Sequence, residues 1–181
     1  LGYGHTDEIW DVSDSSTPLL SLGGPAVAVS AGGEHTCALL EGGGVRCWGN
    51  NVFGQLGHGR TSSIVDSSLA PLALLPPMNV SGISAGGTHT CATFVGGTVR
   101  CWGTGANGRL GYGNTNNVGD DEAPSVVGDV EVGYTVAAVS AGSSHSCALQ
   151  FDGGLRCWGL NGVGQVGLGH TRSIGDDEVP S

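Results

Sequence analysis

Apolar and polar residues alternate over short stretches of this chain and never settle into a helical period. No sustained run places apolar residues at i, i+3, i+4 and i+7, and glycine recurs too often for a helix interior. The stretch Cys147-Ala148-Leu149-Gln150-Phe151-Asp152-Gly153-Gly154-Leu155-Arg156-Cys157-Trp158-Gly159 shows the recurring unit. It is a short apolar run, a Gly-containing turn and a second short run, a pattern that predicts a β-hairpin. The unit occurs three times, at 37–49, 91–103 and 147–159.

The rest of the chain repeats in step with these hairpins. Trp48, Trp102 and Trp158 stand 54 and 56 residues apart. Leu1-Gly2-Tyr3-Gly4 aligns with Leu56-Gly57-His58-Gly59, Leu110-Gly111-Tyr112-Gly113 and Val166-Gly167-Leu168-Gly169. The match runs on through Thr6, Thr61, Thr115 and Thr171, and then through Asp11, Asp66, Asp120 and Asp176. Residues 1–181 therefore form a single repeat region, with complete repeats at 1–55, 56–109 and 110–165 and a partial one at 166–181. A period of about 55 residues points to propeller blades rather than a helical solenoid. Each repeat offers four strand candidates, which in the third are 135–141, 144–150, 154–158 and 165–167. The segments 9–25, 66–79 and 120–134 read as surface loops between units. The chain opens midway through a repeat, which predicts a processed chain or part of a longer one.

Composition narrows the function classes. Glycine supplies 35 of 181 residues without a collagen period, and 39 % of the chain is hydrophobic, so a folded, turn-rich all-β chain is expected. The net charge is −10, with six arginines and no lysine, the wrong sign for nucleic acid or an anionic membrane surface. No apolar run approaches the ~20 residues of a membrane helix, so no membrane insertion is expected.

The cysteines fall into pairs of one spacing: Cys37 with Cys47, Cys91 with Cys101, Cys147 with Cys157. Three-residue loops at 41–43, 95–97 and 151–153 put Gly at the left-handed third position each time, as a type I turn with a bulge requires. That register sets each pair directly opposite across the hairpin, within reach of a disulfide. Three disulfides imply an oxidising compartment; a two-residue turn would instead leave six small reduced core residues. His35, His89 and His145 each precede a cysteine by two residues. His-x-Cys suits zinc, but the paired spacing of a structural zinc site is missing, and a packed, hydrogen-bonded imidazole is the simpler reading. Asp120-Asp121-Glu122 recurs as Asp176-Asp177-Glu178, an oxygen-rich loop that could hold calcium or simply close a turn. No other cofactor is expected. Arg46, Arg100 and Arg156 precede the second cysteine of each pair, with the repeated Asp as a candidate partner. Asn79-Val80-Ser81 is an N-glycosylation sequon. Trp48, Trp102 and Trp158 are expected in the core between units. Trp10, whose register-mates are Val65, Gly119 and Gly175, is the candidate partner contact.

One motif ties these positions together. His-Thr/Ser-Cys-Ala, a Gly turn, Cys-Trp-Gly and then Asn-x-x-Gly-Gln-Leu-Gly-x-Gly resembles the regulator-of-chromosome-condensation repeat. The cleanest copies are 35–59 and 145–169; the middle one has Thr104-Gly105 where the others have Asn50-Asn51 and Leu160-Asn161. The resemblance implies an all-β propeller, usually of seven blades, of which this chain carries about three and a third. Its cysteine-rich form is similar to a secreted bacterial and protist branch. The family's functions include nucleotide exchange on a small GTPase, light sensing, inhibition and surface binding. The expectation is a non-enzymatic extracellular structural, adhesive or protein-interaction module, acting on a protein partner or on itself in a larger assembly or filament. A secreted binding or inhibitor propeller working through its loop face is the alternative. An exchange-factor-like regulator of a small GTPase is the third.

Overall fold

The computed structural model describes residues 2–8, 19–68 and 79–181, so Trp10 lies outside the described residues. Among the described residues the alternating runs become nine strands: β1 (Ala26–Ala31), β2 (His35–Leu40), β3 (Val45–Gly49), β4 (Val80–Ala85), β5 (His89–Phe94), β6 (Val99–Gly103), β7 (Val136–Ala141), β8 (His145–Gln150) and β9 (Leu155–Gly159). Each consecutive triplet forms its own antiparallel sheet, in chain order.

Turn chemistry fixes the register. Leu40 N–H donates to the Gly44 carbonyl at 2.7 Å and Gly43 N–H to the Leu40 carbonyl at 3.0 Å, which closes a three-residue loop. Gly43, Gly97 and Gly153 take φ of +84°, +81° and +95° there. In the first two hairpins the preceding glycines, Gly42 and Gly96, are also left-handed (+89° and +109°), as a type II turn requires. Asp152 stands there in the third, and only that hairpin keeps the type I form. Cys37 then faces Cys47, Cys91 faces Cys101, and Cys147 faces Cys157.

The first strand of every sheet carries a register shift at its second residue, between Ala26 and Ala28, Val80 and Gly82, and Val136 and Ala138. Such a bulge leaves one residue out of the ladder. The expected fourth strand at 165–167 is a turn instead, with Gly164 and Gly167 at φ of +81° and +79°. What remains of a fourth strand lies further along the chain, as single bridges from Gly49 to Ile64, Gly103 to Val118 and Gly159 to Ile174. The segment 120–134 is not wholly a surface loop. It holds a single helical turn, α1 (Pro124–Val127), and buries Val130 and Val132. Val130 N–H reaches the Val99 carbonyl, so this stretch seals the second sheet.

The sheets pack against one another in sequence order. Trp48, Trp102, Trp158, Phe94, Leu56, Leu110, Val45 and Val99 form one continuous core with Cys37, Cys47, Cys91 and Cys101.

Candidate functional site

The side chains that carry chemistry gather where one sheet meets the next. The three cysteine pairs are bridged, with Cα atoms 4.1, 4.1 and 4.0 Å apart. Their sulfurs are therefore not thiolates, and the His-x-Cys pairs have no metal-binding sulfur to offer.

The histidines reach across to the following sheet. His35 Nε2 lies 2.8 Å from Thr90 Oγ1. Thr90 in turn donates its single hydroxyl proton to the Gln55 carbonyl at 2.8 Å, an oxygen that Trp102 Nε1–H also reaches at 2.9 Å. The same set recurs one repeat later: His89 to Ser146 at 3.0 Å, then Ser146 and Trp158 to the Arg109 carbonyl at 2.9 and 3.0 Å. A hydroxyl that has given away its proton can only accept. Each imidazole therefore carries its hydrogen on Nε2 and leaves Nδ1 bare, and the two Nδ1 atoms have no partner. Burial favours this neutral form, pushing His35 down to about 4 and His89 down to about 3, the latter helped by nearby Arg109, His35 and His145. His145 is half-buried, and its imidazole makes no hydrogen bond among the described residues. The hydroxyls Thr90 and Ser146 escaped the sequence reading, although a hydroxyl follows every histidine of the motif.

Two further links cross each junction. Ala85 N–H donates to Ser30 Oγ and Ala141 N–H to Ser84 Oγ, each at 2.9 Å. Gly33 N–H reaches the Gly86 carbonyl at 3.0 Å. At the next junction Gly87 N–H reaches the Gly142 carbonyl at 3.3 Å, and a Cβ on Gly86 would come within 2.5 Å of that carbonyl, so only glycine permits the approach there.

Among the described residues, which leave out Asp11, no arginine pairs with the repeated Asp. Arg100 forms its ion pair with Asp129 and covers the Phe94 ring. Arg156 donates to the Val132 carbonyl at 2.6 Å and covers Tyr134. Of the repeated Asp, Asp66 closes a turn by accepting from Ser68 N–H at 2.8 Å, and the Ser68 hydroxyl together with that N–H holds its carboxyl below the usual range. Asp120 accepts from Asn117 instead.

Asp120, Asp121 and Glu122 bring one oxygen each within 4.8 Å of the others, as do Asp176, Asp177 and Glu178. Burial and the neighbouring Asp121 push Glu122 up. An open cavity of about 460 Å³ adjoins the first cluster, lined by Tyr112, Asn114, Asn117 and the three acids. The turn that follows β3, with exposed Phe53, sits beside it, and Gly54 lies against Gly119 and Asp120.

The repeat motif matches the family described as Regulator of chromosome condensation (RCC1) repeat over 42–93 and 96–149, and a second repeat family of that description over 26–55 and 136–165. The secretion-regulating guanine nucleotide exchange factor of Bos taurus is 38 % identical over 173 residues, 92 % of this chain and 35 % of that protein. The chain belongs to the RCC1 repeat family. The ultraviolet-B receptor UVR8 of Arabidopsis thaliana is 35 % identical over 84 % of the chain and 33 % of its own length. This chain thus spans about a third of these relatives. Among solved structures, yeast RCC1 (Prp20) bound to Kap60 aligns over 86 % of the chain and 36 % of its own, with a TM-score of 0.70 and 24 % identity. Human WBSCR16 aligns over 89 % and 38 %, with a TM-score of 0.68 and 21 % identity. Both likenesses establish the propeller fold, and the three sheets are blades of it.

Proposed function

We propose that this RCC1-repeat chain is a non-enzymatic extracellular module whose task is to bind protein. The observation that carries the reading is the identical bridged cysteine pair in each blade. Disulfides persist where the surroundings are oxidising. The other reactive groups of the motif, His35 and His89, are occupied in joining blades. That leaves the loops as the variable surface. Arg100 and Arg109 are buried and Arg46 and Arg156 half-buried, so only Arg60 and Arg172 are exposed to offset the acidic residues. A cationic protein surface suits such a face better than an anionic one. The rim holding Phe53 and Asp120 to Glu122 is its natural docking edge, and calcium on these acids would tune its charge without being required.

The test uses the cells that make the protein. Labelling by a membrane-impermeant reagent, with three bridged pairs in a non-reducing peptide map, supports the reading. An unlabelled chain with six alkylatable thiols overturns it. A photo-cross-linker at Phe53 on intact cells should give a discrete protein adduct, and none from any loop position would remove the binding role.

One further observation concerns an interface with another repeat unit. Leu149 and Leu155 on the third blade are 41 % and 67 % exposed, at positions where the first two blades bury Leu39 and Val45 or Thr93 and Val99. We propose that another unit of the same kind covers this face. Sedimentation that gives a concentration-independent monomer would exclude a second copy as that unit. The exchange-factor relative supports a competing reading, regulation of a small GTPase, which accelerated release of labelled nucleotide from a GTPase panel would establish.

A further inference from the structure

The sequon lies on the edge of the second blade, and nothing in the fold requires it there. Asn79 immediately precedes β4, and Ser81 is the residue that the β4 bulge leaves out of the ladder. Both are exposed, while Val80 between them is buried. Neither side chain makes a hydrogen bond among the described residues. The equivalent residues are Pro25 and Val27 in the first blade and Thr135 and Ala137 in the third. A position that accepts Pro, Asn and Thr has no repeat-wide need for a carboxamide, and one that accepts Val, Ser and Ala has none for a hydroxyl. The backbone at Asn79 is nevertheless well defined. Its carbonyl accepts from Val95 N–H at 2.9 Å, and its Cβ rests against Gly43, which carries no side chain to obstruct it.

We infer that Asn79 is the acceptor of an N-linked glycan, an inference that rests on the extracellular reading above. The transfer is a simple exchange. Asn79 Nδ2 forms the N-glycosidic bond to C1 of an N-acetylglucosamine-headed oligosaccharide and loses one proton. The pyrophosphate of the polyisoprenoid donor leaves and takes that proton. The Ser81 hydroxyl supplies the second recognition element of the sequon.

The glycan has a consequence for the binding face. Asn79 stands beside the hairpin tips at Gly43 and Val95, and Val95 is exposed. Because His35 pairs with Gly49, the turn after β3 emerges at the opposite ends of the strands. A glycan at Asn79 therefore shields the hairpin-tip rim and leaves the rim with Phe53 and Asp120 open.

The experiment compares the wild-type chain, Asn79→Gln, Ser81→Ala and Ser81→Thr, each secreted from eukaryotic cells. Peptide-N-glycosidase in H₂¹⁸O should raise the mobility of the wild type and convert Asn79 to ¹⁸O-labelled Asp. That shift should vanish in Asn79→Gln and Ser81→Ala and persist in Ser81→Thr. A secreted chain with three bridges and an unmodified Asn79 overturns the glycan while leaving the extracellular reading standing. Six free thiols in the chain from its native source overturn both.

Discussion

Replacing Thr90 by valine removes one oxygen from the junction between the first and second blades and changes its shape little. Thr90 is fully buried and links His35 to the Gln55 carbonyl. The carbonyl keeps its bond from Trp102, so the loss falls on the imidazole. Its Nε2–H, or whichever nitrogen carries the proton, is left with no acceptor in a buried site. An orphaned buried donor costs about 1–3 kcal/mol, and the lost Thr90–Gln55 bond adds about 1 kcal/mol. Thr90→Val should therefore destabilise by about 2–4 kcal/mol. The assay is urea denaturation with disulfides intact, reading the midpoint at constant slope. Thr171→Val, at an exposed site, is the control and should shift stability by less than about 0.5 kcal/mol. His35→Leu combined with Thr90→Val should cost clearly less than the two single changes added, because no polar atom is then left alone. A Thr90→Val midpoint equal to that of the control would refute the tautomer argument and the role assigned to the hydroxyl.

Two further outcomes follow from the same junctions. With His35 and His89 held near 4 and 3 when folded, the unfolded chain binds protons first as pH falls below about 6.5. Stability is then full above that pH and drops by about 2–3 kcal/mol per histidine by pH 4.5, a loss that His35→Leu should reduce and that a flat urea midpoint would contradict. Replacing Cys91 and Cys101 together by alanine should cost about 3 kcal/mol from the released loop constraint, read as a lower midpoint than the oxidised wild type.

What the sequence displayed was the inside of each blade. Gly43, Gly97 and Gly153 specify a left-handed third turn position, and from that the three hairpin registers follow. The tryptophan period marks the core. The contacts between blades were much harder to read. The acceptor shared by Thr90 and Trp102 is a main-chain carbonyl, and a carbonyl has no letter in the sequence. Residue 55 is glutamine and its counterpart is Arg109, so side-chain type gave no hint that their backbones do the same work. Arg100 was set against the repeated Asp, but its partner is Asp129, a position with no repeat period. A fourth strand is expected at 165–167 from the sequence, yet left-handed glycines turn the chain there.

The middle repeat shows how a departure from the pattern is absorbed. Asn51 and Asn161 are fully buried hubs: each Nδ2 donates to two carbonyls of its following loop, and each Oδ1 accepts from Leu56 or Val166 N–H. The middle repeat has Gly105 at this position. Its loop moves in to fill the space, with the Asn116 carbonyl only 1.9 Å from where a Cβ on Gly105 would lie, and Asn117 Oδ1 accepts from Gly105 N–H at 3.2 Å. Gly105→Asn restores the repeat pattern but meets a loop already built around glycine. The new side chain cannot enter without displacing the Asn116 backbone, and overpacking of this kind costs about 1–3 kcal/mol. A pattern-restoring substitution should thus lower the thermal midpoint. If Gly105→Asn raised it, the loop would have to be free to adopt the geometry of its neighbours, and the compensation argued from Asn116 and Asn117 would be wrong.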